Sequence, residues 1–520
     1  MPSPRKILPL PFKGGWSTSL GPQAADVTHL LAAENVYYEL DGGFRKIPGA
    51  TALNSVALTE ASLPVTVMAM FDYWKSGTTG TSVQKRMAYA GTQLWKEDLD
   101  GTWDSIKTGL EANKLGWFTQ YNDLCIWSST SNTDVPQKWD QAAATTSALG
   151  GTPPNFAFCI PHRGRLWAGG VASNPSRLYY SALDNAEDWV GAGSGAIDID
   201  ISDGDDIKGI ASHKQQLWVF KGPNRGSISY ITGSAPTGGD AFARVPFSRG
   251  VPCSGHQTIL TYLNDLAWVS TRGIHSLEAT QEFGNMKEGF LSFPIQKVFL
   301  QEADVTLDLS ALSSCQGVNH SQRGVLLWSV RQNGQSQNNL VLAYDYRFRP
   351  GRLSLLTAYK SASLAVVLHN SQPRLFSGGY DGIVLRHDEA NRNIAGASYT
   401  ATVQSPFLHY NASDHMNQTA WIRLGINPQG TSSITLQWQN DEDPVQSTTV
   451  TQSSGVVLGG ATGFTLDTDA LGGGAYLQRY FNPPGSYRVQ QLTLSQGGLN
   501  DDMEIHEMAV QIEGSGLSEV

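Results

Sequence analysis

Five aspartates crowd one short stretch, AIDIDISDGDDIKG at residues 196–209: Asp198, Asp200, Asp203, Asp205 and Asp206. Carboxylates packed around a glycine turn are the residue type that can hold a hard cation such as calcium. The run lacks the distal Glu and the ligand spacing of an EF-hand loop. A solvated turn between sheets and an acidic patch lining a channel therefore stand beside the cation reading.

The other residues with chemical potential are scattered. His162, His213, His256, His275 and His320 fall near strand ends and share no metal-ligand spacing. Cys125, Cys159, Cys253 and Cys315 are far apart, and no C-x-x-C pair exists. That speaks against a zinc ribbon or a redox motif, and for buried thiols in a reducing compartment. Arg163, Arg165 and Arg177 form a small basic cluster suited to phosphate or, better with the overall charge, to a neighbour's acidic face. Asn411 (N-A-S) and Asn417 (N-Q-T) fit the glycosylation sequon, a coincidence without secretion. No G-x-S-x-G, H-E-x-x-H or Walker loop occurs. DLDGTW, with Asp100 beside Gly101, departs from the Ser-x-Asp-x-Gly-x-Thr-Trp turn of sialidase propellers. A pair of central carboxylates of the glycosidase kind would leave no local signature. The expectation is a protein that is not an enzyme, with no catalytic, cofactor-binding or metal-ligating residue assigned and no cofactor.

What must position these residues is a repeated hairpin. HRGRLWAGG (162–170) is echoed by AGTQLWKED, NDLCIWSST, KQQLWVFK, LNDLAWVST, RGVLLWSV and QPRLFSGG. The closing aromatics are Trp95, Trp127, Trp167, Trp218, Trp268, Trp328 and Phe376, spaced 32 to 60 residues apart. After each comes a turn and a second strand-like run with alternate apolar positions. One hairpin cannot bury enough surface to stand alone, so hairpins at this period must pack on each other. The spacing is that of β-propeller blades. The expected fold is all-β: a propeller of six to eight blades over 51–397, preceded by an extended arm and closing strand (1–50, with ENVYYEL as the closing strand). A C-terminal β-sandwich or barrel-like domain follows over 398–520. In each blade the Leu and the aromatic should face opposite sides of an inner or middle strand. PVTVMAMFDYW, NFAFCIPH, DDIKGIASH, HQTILTY and SASLAVVLH supply further strands. Residues 456–476 read as a loop or lid.

Composition narrows the function. Of 520 residues, 40% are hydrophobic and only 16% charged, and the formal net charge is −10. Sizeable cores are possible, and a sparsely charged surface suits assembly. A non-specific nucleic-acid binder would carry excess Lys and Arg, so contact with DNA should be non-adhesive. ILPLPF near the N-terminus is too short and too proline-broken for a signal peptide. No window approaches the ~20 apolar residues of a membrane helix. A soluble protein made in the cytoplasm, without membrane insertion, is expected.

Three segments also carry a family resemblance. AENVYYELDGGFRKIPGATALNS, PHRGRLWAGGVASNPSRLYYSALDNAEDW and DGDDIKGIASHKQQLWVFKGPNRGSISYITG resemble the tail nozzle, or tail hub, proteins of short-tailed bacteriophages, the tail tubular protein B type. The resemblance spans most of residues 30–290. It implies a propeller module in the virion tail, assembled as a homo-hexamer under the head-to-tail adaptor protein and near tail fibres or tailspikes. Such a ring retains packaged DNA and conducts it during ejection. Six chains would carry about −60, and within the ~8–10 Å screening length of a narrow lumen like charge keeps a duplex mobile. The alternative is a receptor- or carbohydrate-binding β-propeller of the tail. A propeller glycosidase or lyase is a third reading.

Overall fold

The structure is a computed structural model and describes residues 5–517 except 20, 22–23, 78–81, 278–289, 410–414, 429–431 and 453–476. The expected loop at 456–476 and the sequon at Asn411 lie outside the described residues. The chain forms two compact units. One comprises Ala52–Val341 with Tyr359–His387; the other comprises the chain up to Thr51, Leu342–Ala358 and Asp388 onward. This division is not contiguous in sequence, unlike the boundaries expected at 50 and 397.

The first unit is a β-propeller. Seven sheets succeed one another among its described residues, a number within the six to eight expected. Blade 1 is Val67–Ser76, Ser82–Ala90, Gln93–Glu97 and Trp103–Lys107; blade 2 is Gly116–Tyr121, Leu124–Ser129, Gln137–Trp139 and Ser147–Ala148. Blade 3 is Phe158–His162, Arg165–Gly169, Arg177–Tyr180 and Gly195–Asp198; blade 4 is Asp206–His213, Gln216–Gly222, Ser227–Thr232 and Ala243–Arg249. Blade 5 is Leu260–Tyr262, Asp265–Ser270 and Gly273–Ser276, entered through a 3-10 turn at His256–Thr258. Blade 6 contains Gln316–His320 and Val325–Val330; blade 7 contains Ser363–His369, Gln372–Gly378 and Val384–Glu389. First strands pack on first strands around the circle, except that blade 4 meets blade 5 through the His256–Thr258 turn, and that of blade 7 meets that of blade 1. The ring therefore closes without ENVYYEL. Val36–Tyr38 pairs with Phe44–Lys46 in the other unit.

The repeated cadence marks the second strand in six of the seven sheets. Trp127, Trp167, Trp218, Trp268, Trp328 and Phe376 all sit there and are buried. Opposite them in the first strand stand small residues where the ring needs room: Ala211 faces Trp218, Gly317 faces Trp328 and Ala365 faces Phe376. Blade 1 is the exception. Trp95 falls in its third strand and is only half-buried, while Tyr89 of the second strand, opposite Ala69, takes the repeated place and packs on Trp127 at 5.1 Å. The cadence is the signature of a tight hairpin turn entering an apolar strand. Blade 1 places that turn one hairpin later.

Opposite faces of the second strand serve different seams, as period-two alternation requires. Leu166 joins Ile126, Tyr121 and Cys159 between blades 2 and 3, whereas Trp167 joins Ile207, Ile210 and Leu217 between blades 3 and 4. The direction varies round the ring: Trp218 faces blade 5 as Trp167 faces blade 4, whereas Trp127 packs back on Tyr89 of blade 1 while Ile126 faces blade 3, and Leu266 and Trp268 both pack back on Trp218 and Phe220 of blade 4. At ~25 cal/mol per Å² of apolar surface, each buried Trp supplies about 3 kcal/mol before entropy is counted, so seams of this kind carry the ring.

The second unit consists largely of two sheets. In one, Leu477–Phe481, His415–Ile426, Glu504–Leu517, Phe44–Lys46 and Val36–Tyr38 follow one another. Arg5–Pro9 pairs with Glu504–Leu517, Lys6 opposite Ile512 and Leu8 opposite Val510, so the extended arm expected here is ordered as a strand of this unit. In the other, Ala32–Glu34, Ala401–Gln404, Gln490–Gln496, Ser433–Asn440 and Gln446–Thr451 follow one another. Ile422, Leu424, Leu436, Leu494, Ile505 and Val510 are buried in this unit. Its polar interior is paired: Lys46, buried, donates to Gln496 at 2.6 Å, and Asp502 takes Arg45 and Arg392, each at 2.7 Å.

Candidate functional site: a partnered acidic run and an unsatisfied cavity

The acidic run bridges blades 3 and 4, and each of its five carboxylates is engaged. Asp198 takes a two-pronged contact from Arg177, Nε to Oδ1 at 2.6 Å and Nη2 to Oδ2 at 3.0 Å. Asp200 takes the fork of Arg244, Nη1 to Oδ1 at 2.7 Å. Asp206 takes Lys208 at 3.0 Å. Asp203 accepts from Lys221 at 2.7 Å. Lys221 is fully buried and also donates to the carbonyls of Ile199 at 2.9 Å and Asp200 at 2.8 Å, and to Ser176 Oγ at 3.1 Å. Asp205 caps the turn after the second strand of blade 4: the backbone N–H groups of Asn224, Arg225 and Gly226 donate to it at 2.7, 3.0 and 2.7 Å. That turn requires glycine at 226, where φ is +72° and a Cβ would lie 2.2 Å from Pro252 N.

Electrostatics follow this partnering. The hydrogen bonds and charge of Arg177 hold Asp198 below the usual carboxylate range. Burial pushes Asp203 upward, but the hydrogen bond and charge of Lys221 outweigh it and the net shift is downward. Among the described residues no group of three or more His, Cys, Asp or Glu could hold a metal ion. The reading of this run as an open channel lining or a cation patch is thus replaced. It is a partnered knot tying two blades: Arg244 and Lys221 reach Asp200 and Asp203 from blade 4, Arg177 pairs with Asp198 within blade 3, Lys208 lies on the strand of Asp206, and Asp205 is held by backbone N–H groups.

The histidines do not converge on one another. His162, His213 and His320 occupy the same repeat position, the last residue of the first strand in blades 3, 4 and 6. His162 Nδ1 bonds Ser212 Oγ of the next blade at 2.8 Å, and burial pushes its pKa down to about 4. His275 bonds Ser270 Oγ at 2.7 Å and is pushed down to about 3 by burial. Arg163 donates to the Gly233 carbonyl at 2.9 Å and Arg165 to the Ser181 carbonyl at 2.8 Å, while Arg177 is held by Asp198, so each member of the basic cluster is engaged. The four cysteines are free and buried, and burial pushes the Cys253 thiol up to about 12. Asn417 is fully buried with Nδ2 donating to the Arg488 carbonyl at 3.2 Å, which leaves no room for a glycan.

His256 is different. It lines a cavity of about 190 Å³ where the first strands of blades 2, 3 and 4 begin, together with Leu115, Phe158, Ile207, Ser254 and Gln257. The imidazole stacks on Phe158 at 4.5 Å and 14°, and meets Trp117 edge-on at 4.1 Å. Close approach of the two segments is built in: a Cβ at Gly209 would lie 2.3 Å from Ile259 Cδ1. The Ile210 N–H donates to His256 Nδ1 at 3.3 Å. Burial pushes the His256 pKa down to about 3, so the ring is neutral at physiological pH. With Nδ1 accepting, the ring proton sits on Nε2. Among the described residues, neither that Nε2 nor Ser254 Oγ has a hydrogen-bond partner, although both are buried. Sequence reasoning listed His256 but missed the cavity, since only the ring brings residues 115, 158, 207 and 254 together.

No known protein family and no curated protein matches this sequence. Solved structures do share its strand-rich architecture. YCF48 from Cyanidioschyzon merolae is similar at 11% identity and a TM-score of 0.36, over 64% of this chain and 98% of that one. An exo-β-1,3-galactanase from Phanerochaete chrysosporium is similar at 9% identity and 0.26, over 90% and 99%. A gluconolactonase from Xanthomonas campestris is similar at 13% and 0.31, over 66% and 97%. At these TM-scores the likenesses assign no activity to this chain. Two of the three are nevertheless enzymes, and this corrects the expectation that the chain is not one. The want of a sequence motif does not exclude catalysis on a scaffold that enzymes share, because sites are grafted on folds and not specified by them.

Proposed function

We propose that the chain is a binding β-propeller of a phage tail, recognising a receptor or its carbohydrate. One observation carries this reading: the cavity beside His256, apolar on most of its wall, with buried polar groups left unsatisfied. Concave apolar sites with a few convergent polar groups are where small ligands bind. The phage setting rests on the sequence resemblance. The test is retention of the purified chain on extracted host-envelope glycans and on intact host cells. Saturable binding is expected, and its absence from both overturns the reading.

A second reading, the tail nozzle, is favoured by where the resemblance falls. Residues from two of the resembling segments, 161–189 and 203–233, form the knot: Arg177 and Ser176 belong to the first, Asp203, Asp205, Asp206 and Lys221 to the second. Shared motif residues that hold a seam support a shared scaffold. On this reading the chain forms a six-membered ring under the adaptor in the virion and retains DNA. Electron-microscopy class averages of the purified chain test it. A ring with an open bore supports it, and dispersed monomers together with virions that keep their DNA without this chain exclude it.

A further inference from the structure

The cavity at His256 says more about what it takes. Its two charged lining residues, Asp206 and Lys208, neutralise each other at 3.0 Å. The imidazole is held neutral by burial and by its packing against Phe158 and Trp117. The cavity therefore offers no net charge to an ionic ligand. What it offers is a fixed N–H donor at Nε2, since the Ile210 N–H occupies Nδ1. Ser254 adds a hydroxyl, its backbone N–H already committed to the Val269 carbonyl at 3.0 Å. An unpaired buried donor costs about 1–3 kcal/mol, which an arriving acceptor oxygen recovers. The apolar side of the same site comes from Leu115, Val171 and Ile207, since the imidazole already covers a face of Phe158. Its volume, about 190 Å³, is below the ~300–1,000 Å³ of sites that enclose drug-sized ligands. It accommodates one ring or one terminal group.

We propose that this cavity is a subsite for one neutral sugar ring, whose hydroxyl or ring oxygen accepts from His256 Nε2–H and bonds Ser254 Oγ while an apolar ring face lies against Leu115, Val171 and Ile207. The inference rests on the binding reading above, and names the site and ligand class within it. Acidic sugars are disfavoured, because a carboxylate would be buried beside Asp206 without a free cation.

The test uses the full chain, isotope-labelled at histidine, titrated with glucose, galactose and N-acetylglucosamine and, in parallel, with gluconate and galacturonate. A neutral sugar is expected to move the His256 side-chain 15N signal, with an affinity unchanged between pH 5.5 and 8. Ser254→Ala, which leaves the stack intact, should weaken that affinity at least tenfold, and His256→Phe should abolish it. If His256→Phe fails to fold, Ser254→Ala alone decides. Sugar binding that leaves the His256 signal and the Ser254→Ala affinity unchanged overturns this site while leaving the binding reading standing. Stronger binding of the acids overturns the ligand class. If no sugar moves the signal, the subsite is wrong even where glycan retention persists.

Discussion

The knot around Lys221 and the cavity around His256 are both polar clusters in the propeller, the knot where the last strand of blade 3 passes to blade 4 and the cavity where the first strands of blades 2, 3 and 4 begin. They differ in satisfaction. Lys221 has four acceptors and each of the five aspartates has a donor. His256 and Ser254 keep polar atoms with no partner among the described residues. The contrast teaches which of two conspicuous clusters holds the fold and which is open to a ligand. A dense run of carboxylates drew the eye in the sequence, yet its charge is used up internally. His256, unremarkable by spacing, keeps an unsatisfied donor on the wall of a cavity.

The contrast can be broken most sharply at Lys221. Lys221→Met removes the cation, leaves Asp203 the Asp205 backbone N–H at 3.0 Å, and takes the ammonium donor from the Ile199 and Asp200 carbonyls. A loss of about 3 kcal/mol in urea unfolding is expected, at the low end for a broken buried pair because Asp203 is 28% exposed. An unchanged midpoint would show that the knot carries no stability. Asp205→Ala comes next. Three backbone N–H groups lose their acceptor, and about 2 kcal/mol should go, with faster amide exchange confined to residues 224–226.

The pH dependence separates the two clusters. Asp198 and Asp203 have pKa values lowered on folding, so their contribution is present above the unfolded value near 4 and is lost as pH falls through the folded values. His256 is a base whose pKa is lowered on folding. Between about 6.5 and 3 the unfolded chain binds the extra proton, and stability falls as pH falls through that window. Thermal unfolding of His256→Phe should show a flatter decline between pH 6.5 and 4 than the parent chain. An identical slope would mean that His256 is not held neutral. The smallest expected effect is Ser254→Ala. Removing a hydroxyl without a partner should shift stability by less than about 0.5 kcal/mol, whereas a loss near 2 kcal/mol would reveal a hidden partner.

Much of the architecture was legible because it repeats. The Leu-Trp hairpins, the first strands such as Ser363–His369 and the opposite-face use of Leu166 and Trp167 all follow from local alternation. Trp95 misled because the same turn chemistry serves either hairpin of a blade. The N-terminal stretch was legible as an extended arm, but its pairing with Glu504–Leu517 was not, because no local pattern links segments so far apart in sequence. The cavity was invisible, since its walls come from residues 115 to 313 and no periodicity links them.

The sequence by itself determined that the chain is all-β, that hairpins recur and that aromatics fall where sheets must pack, because hydrophobic alternation and turn residues act over a few positions. Only the tertiary structure decided which polar groups are paired. Arg244 meets Asp200 and Lys221 meets Asp203 because the sheets of blades 3 and 4 are neighbours in the ring. His256 keeps its Nε2 donor because the packing of Phe158 and Trp117 fixes its ring without offering an acceptor.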